Sequence, residues 1–200
     1  MKTNNTIIVL LFLCTALGLQ AQKPLDGLKE QFTHYSQLVM DGAYDTALDY
    51  SPEEIFTIVP RSLLINVMEK TMNDPEMEFG LFLPEYTTFE KPFEDKGIIY
   101  QVFYYKQRIS LKFIETPDEE NTEESIDFSN KLRLEMFTSI YGEGNVIYDA
   151  ATVSYKINTV KTALAINKDG ASHLYFAVIE EERKELMQKL FSDKVIKKIY

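Results

Sequence analysis

Two histidines are the side chains of this 200-residue chain best suited to moving protons near neutral pH, because an unperturbed imidazole changes charge between about pH 5 and 8. His34 falls one position off the apolar stripe of a predicted first helix, on its flank, and His173 follows Gly170-Ala171-Ser172 in a predicted hairpin loop. Neither has Asp, Ser or Cys at a recognisable motif spacing. The pattern predicts surface imidazoles, not a catalytic pair. Acidic runs at Asp118-Glu119-Glu120, Glu123-Glu124 and Glu180-Glu181-Glu182 carry oxygens that suit a hard cation. They lack the alternating ligands and turn glycine of a calcium loop, so they read as solvated loop and helix-start charge. There is no phosphate-cradling glycine loop, no G-x-S-x-G and no H-E-x-x-H, so no metal, cofactor or catalytic set is predicted.

The N-terminus limits where chemistry can happen. Lys2 precedes the apolar run Ile7 to Leu13 and a small-residue exit at Ala16, Gly18 and Ala21. That is the pattern of a secretory signal peptide over residues 1–21, and its apolar core is too short to span a bilayer. Cys14 sits within it, with bulky Phe12-Leu13 where a lipid-acceptor motif wants small residues. Cleavage would remove the only cysteine, leaving residues 22–200 without a disulfide, thiol nucleophile or thiolate-bound metal. Those residues fit a single domain, predicted to be periplasmic or secreted and not inserted in the membrane. The net charge of −10 and pI near 4.8 come without a Lys/Arg-rich stripe, which argues against nucleic acid and anionic lipid.

The elements that must position any site follow from periodicity. Leu25, Leu28, Phe32, Tyr35 and Val39 form one helical stripe ending near Asp41-Gly42. In the following YDTALDYSPEEIFTIVP, Pro52 and Pro60 mark the start and stop of a short helix, with Ile55, Phe56 and Val59 expected inward. A further helix is predicted over about Ser62 to Asn73. Strand periodicity then takes over, with a turn at Glu94-Asp95-Lys96-Gly97 and a long β run from Ile98 to Phe113. This run is apolar on both faces to Tyr105 and one-sided afterwards, so a bend or bulge is expected near Lys106-Gln107. A long helix over about Glu123 to Tyr141 carries Phe128, Leu132, Met136 and Ile140 at fourfold spacing. Strands return over Asn145 to Ile166 and Leu174 to Ile179, before a closing helix and a last turn holding Val195, Ile196 and Ile199. The order predicts an α+β fold with helices packed on one face of a curved antiparallel sheet.

Taken together, YDTALDYSPEEIFTIVPRSLL, GIIYQVFYYKQRISLKF, YGEGNVIYD and LYFAVIEEERKELMQKLFSDKVIKKI resemble a group of small exported bacterial proteins of the nuclear transport factor 2-like, or ketosteroid isomerase-like, superfamily. The resemblance implies a cone-shaped fold with a cavity between the first helix and the concave sheet. Some members use that cavity for lyase or isomerase chemistry, and others bind ligands or protein partners. Chemistry of the isomerase type needs an aspartate base and a tyrosine to stabilise an oxyanion. Tyr100, Tyr104 and Tyr105 lie on a suitable strand, and Asp41, Asp45 and Asp49 lie near the helical layer.

The resulting expectation is an exported, non-catalytic binding module for a small apolar ligand or a protein partner, with Tyr100, Tyr104, Tyr105 and His34 as ligand contacts. The alternative is a lyase or isomerase using an Asp/Tyr or His34 constellation in the same cavity. It requires a carboxylate or imidazole inside the pocket. A homodimer through the sheet's outer face is a third arrangement the sequence leaves open.

Overall fold

The computed structural model describes residues 25–114, 122–168, 170 and 172–200. The signal-peptide reading of residues 1–21 and the acidic run Asp118-Glu119-Glu120 lie outside the described residues. Helices α1 (Leu28–Met40), α2 (Tyr44–Leu48) and α3 (Arg61–Met72) come first, with a 3-10 turn at Glu53–Thr57. Strands β1 (Met77–Leu81), β2 (Glu85–Phe89), β3 (Phe93–Asp95) and β4 (Ile98–Phe113) lead to helix α4 (Glu123–Tyr141). Strands β5 (Val146–Asp149), β6 (Ser154–Asn167) and β7 (Tyr175–Ile179) precede a 3-10 turn at Glu181–Arg183 and the closing helices α5 (Lys184–Leu190) and α6 (Asp193–Ile199).

Strands β4 and β6 form the spine of an open, fully antiparallel sheet. Their register is unbroken from Ile99 opposite Asn167 to Leu111 opposite Tyr155. Along the outer side of β4 lie β3, β2 and β1, and along the outer side of β6 lie β7 and β5. The β3–β4 hairpin closes through two residues, Lys96 and Gly97, both at positive φ. That conformation matches the twist of the flanking strands and is why glycine follows lysine here.

Successive side chains on a strand point to opposite faces, and β4 uses both. Phe103 and Tyr105 join Ala163, Ala165 and Phe176 under Leu28 and Phe32 of α1. Further along the same face, Leu111, Tyr155 and Ile157 pack against Phe137 of α4. Tyr100 and Val102 face the other way, with Leu164 and Ile166, against Met187, Val195, Ile196 and Ile199 of the closing helices. The expectation of helices on one face is therefore corrected. The run from Ile98 to Tyr105 is apolar in both parities, so both surfaces must be covered to remove it from water. Beyond it, Lys106, Arg108 and Lys156 leave that second face open to solvent.

Two local expectations also change. The bulge expected in β4 near Lys106-Gln107 is absent from its pairing with β6, and the register shift falls instead on β2, between Tyr86 and Thr88. An edge strand adjusts more cheaply than a central one, because only one ladder is disturbed. Pro52 precedes the 3-10 turn as expected, but Pro60 is the residue from which α3 starts. Ile55, Phe56 and Val59 are half-buried. The five-residue turn is too short to present a full face, and the Phe56 ring lies 5.3 Å from the Arg61 guanidinium, which also pairs with Asp45 and Asp49.

Helix α4 begins at Thr122, whose side chain accepts the Ser125 N–H. Its inner face is anchored by the Tyr155 hydroxyl, which donates to the carbonyl of Asn130 at 3.0 Å. The stripe of Phe128, Leu132, Met136 and Ile140 faces outward, with exposures of 68%, 57%, 47% and 64%.

Candidate functional site

Helix α1 is fixed to the sheet by apolar and polar contacts together. The Phe32 ring sits 4.9 Å from Phe103 and 5.0 Å from both Tyr105 and Phe176, in edge-on geometries that suit the aromatic quadrupole. Gln31 accepts the Leu174 N–H through its side-chain oxygen and donates to the Ser172 carbonyl, tying α1 to the start of β7. Gln101, wholly buried in β4, accepts the Leu25 N–H at 2.7 Å and donates to the Glu90 carbonyl at 2.8 Å. The start of α1 and the end of β2 therefore share one buried amide. Tyr86 completes the frame by donating to the Lys29 carbonyl.

Coverage of this face changes hands midway along β4, from α1 near Tyr105 to α4 near Leu111. Between them a pocket of about 100 Å³ remains. Its walls are Phe32, Tyr35, Ser36 and Val39 of α1, Leu81 of β1, Phe82 and Pro84 of the β1–β2 connection, Tyr105 and Gln107 of β4, and Val178 of β7. The connection is held over the pocket by the Phe82 N–H, which donates to the Arg108 carbonyl at 3.1 Å. Phe82 and its neighbour Leu83 leave an apolar rim exposed to solvent.

The polar groups of this pocket are neutral. Burial pushes the Tyr35 phenol above its ordinary pKa, with Arg183 acting weakly the other way. Burial likewise pushes Tyr105 well up, and the nearby Tyr35, Glu180 and Tyr86 add to it. Neither hydroxyl has a hydrogen-bond partner among the described residues, nor does the Gln107 amide. Ser36 is already engaged, donating to the Phe32 carbonyl. Two protonated phenols and one amide thus border a small apolar volume with donors and acceptors to spare. Among the described residues, the lining contains no carboxylate and no imidazole.

No family model, curated protein or solved structure matches this chain.

Of the residues expected as ligand contacts, Tyr105 alone lines this pocket. Tyr100 and Tyr104 belong to the opposite face of β4. Tyr100 borders a separate cleft of about 170 Å³ beside Glu54, Asp95, Lys168 and Ser192. Carboxylates and a tyrosine do meet there, but the carboxylates are engaged. Burial acts upward on Glu54, yet the hydrogen bond and charge of Lys168 together with a backbone hydrogen bond hold the carboxyl below its usual range. Asp95 accepts the Ser192 hydroxyl at 2.7 Å. The Tyr104 hydroxyl is directed at Glu90, 3.4 Å away.

His34 is exposed on α1, its ring 5.9 Å from Tyr50. His173 lies 4.9 Å from the same tyrosine ring, with its Nε2 3.2 Å from the Asp49 carbonyl oxygen. The aspartates near the helical layer are likewise committed: Asp45 and Asp49 bind Arg61, and Asp41 accepts from Gln37. Glu180 bridges Lys161 and Arg183. No group of three or more potential metal ligands occurs among the described residues.

Sequence reasoning missed Tyr35 and Gln107. Tyr35 was absorbed into the apolar stripe of α1, where its hydroxyl carries no periodic signal. Gln107 did carry one. It interrupts the parity Phe103, Tyr105, Ile109, Leu111, Phe113 with an uncharged amide, at the point where the cover changes.

Proposed function

We propose that the protein is an exported, non-catalytic binding module whose pocket between α1 and the sheet takes part of a small, uncharged, largely apolar molecule bearing a hydrogen-bond acceptor. The observation that carries this reading is the pairing of two partnerless phenols with an apolar enclosure, the combination of many hydrophobic walls and few polar groups that ligand sites use. Charged ligands are disfavoured, because the lining offers no ion to compensate them and desolvating a charge there would be costly. At about 100 Å³ the pocket is smaller than the usual ~300 to 1,000 Å³ of a drug-sized site. It accepts a head or tail group, with the remainder of the molecule lying over Phe82 and Leu83. A cavity beside the first helix also accords with the cone-shaped fold the sequence resembles.

Two phenols held protonated could stabilise an oxyanion, but lyase or isomerase chemistry also needs a base to take a proton. The lining supplies none, so binding is favoured over catalysis. Native mass spectrometry of the protein purified from its own envelope extract tests the proposal. A reproducible adduct that disappears in the Tyr35→Phe/Tyr105→Phe variant supports it. A clean mass for the wild type, or an adduct indifferent to both substitutions, argues against it.

A further inference from the structure

The outer face of α4 carries Phe128, Leu132, Met136 and Ile140, all at least 47% exposed, as one ridge at fourfold spacing. The ridge spans about 18 Å of helix axis. Together the four side chains offer on the order of 400 Å² of apolar surface, the size at which an exposed patch marks an interaction site. The inner face of the same helix is already served by Phe137, Leu134 and Tyr141 against the sheet. Among the described residues, the ridge is therefore surplus to the packing of its own chain.

We propose that this ridge is the interface of a two-fold homodimer, with α4 of one copy packed antiparallel on α4 of the other. Three features favour a second copy. First, a ridge built at i, i+4, i+8, i+12 fits the groove beside the same ridge on a like helix, with the axes crossing near −50°. Ser125, Ser129 and Ser139 stand among the large residues, where small side chains permit close approach.

Second, Lys131 and Glu135 flank the ridge on one side and are both exposed. An antiparallel partner brings that flank against itself, so Glu135 of each copy lies alongside Lys131 of the other. Lys131 is paired within its own helix to Asp127, and the partner's Glu135 would extend that pair into a network. Third, two such patches contribute about 800 Å² of apolar area, which the flanking Lys131, Glu135 and serine side chains bring toward the ~1,000 Å² that a specific interface needs. A lipid surface fits worse: the chain carries a net charge of −10 and the helix adds Glu124, Asp127 and Glu135 near the ridge.

Sedimentation velocity on the protein purified from cells expressing the full chain, over a concentration series reaching about 100 µM, tests this. The wild type is expected to sediment as a dimer. Leu132→Glu should weaken association about 100-fold while leaving the far-ultraviolet circular dichroism unchanged, as an exposed central hot spot would. Glu135→Lys should weaken the dimer by roughly tenfold, and adding Lys131→Glu should restore most of the loss. A wild type that stays monomeric throughout overturns the proposal, as does a dimer that Leu132→Glu leaves intact. Failure of the double charge swap to recover association overturns the antiparallel pairing.

Discussion

Tyr35 of α1 and Tyr105 of β4 line one pocket, where burial foremost, and then the electrostatic effect of the nearby Tyr35, raise the pKa of the Tyr105 hydroxyl. Helix and sheet each contribute one neutral phenol to a volume whose other walls are mostly hydrocarbon, with Ser36 and the Gln107 amide beside them. Because neither hydroxyl is consumed by the fold, both remain available to a ligand. This separates Tyr105 from Tyr155, which is equally buried but spends its hydroxyl on Asn130.

The first prediction concerns alkali. Tyr35, Tyr86, Tyr100 and Tyr105 all have pKa values raised foremost by burial. In the unfolded chain each ionises near pH 10, whereas in the folded protein each holds its proton to higher pH, so the folded state binds more protons in that interval. Stability is therefore fully present below about pH 10 and falls as pH rises through the folded values. Absorbance at the tyrosinate band should rise in two stages, with the buried group appearing only as circular dichroism is lost. A single stage near pH 10, with the fold intact, would contradict the burial of these phenols.

The second concerns the anchor of α1. Phe32→Ala should cost about 3 to 5 kcal/mol, the range for removing a fully buried ring, whereas Phe56→Ala should cost about 1 to 2 kcal/mol because that ring is already half in water. Urea midpoints at constant slope measure both. Equal losses would mean that the 3-10 turn is as deeply seated as α1.

Much of the fold was legible because the sequence states its periodicities clearly. The stripe Leu28, Phe32, Tyr35, Val39 predicted α1, and Asp95-Lys96-Gly97 predicted a tight hairpin turn because positive φ favours glycine. The both-faced apolarity of Ile98 to Tyr105 also contained the second helical layer. Such a run suits a strand, and physically it requires cover on two surfaces. The outward turn of the α4 ridge was not legible, because periodicity marks a stripe without saying which stripe meets the sheet. Nor was the pocket, since it depends on where α1 ends relative to α4 along β4. That is a tertiary distance between segments far apart in sequence.

The third prediction tests the buried amide. Gln101→Leu replaces the amide with an apolar side chain of similar size and strands the Leu25 N–H and the Glu90 carbonyl. Both bonds are part-buried, so losing them should cost about 0.5 to 1.5 kcal/mol each, the net worth of an ordinary hydrogen bond. Hydrogen exchange at Leu25 should accelerate ahead of global unfolding, because that N–H loses its only side-chain acceptor. Unchanged exchange at Leu25 would show that the amide is not what holds the start of α1.

The central claim is that the Tyr35 and Tyr105 hydroxyls serve a ligand and not the fold. Its most direct test is a nitrogen-15 nuclear magnetic resonance titration with cyclohexanone, a compact neutral acceptor, against wild type and Tyr105→Phe. Saturable shifts should centre on Tyr35, Phe82, Tyr105, Gln107 and Val178. Tyr105→Phe should weaken binding by roughly 3- to 10-fold, the worth of one hydrogen bond, at unchanged thermal stability. Shifts that do not saturate, that map elsewhere, or that are indifferent to Tyr105→Phe would contradict the account.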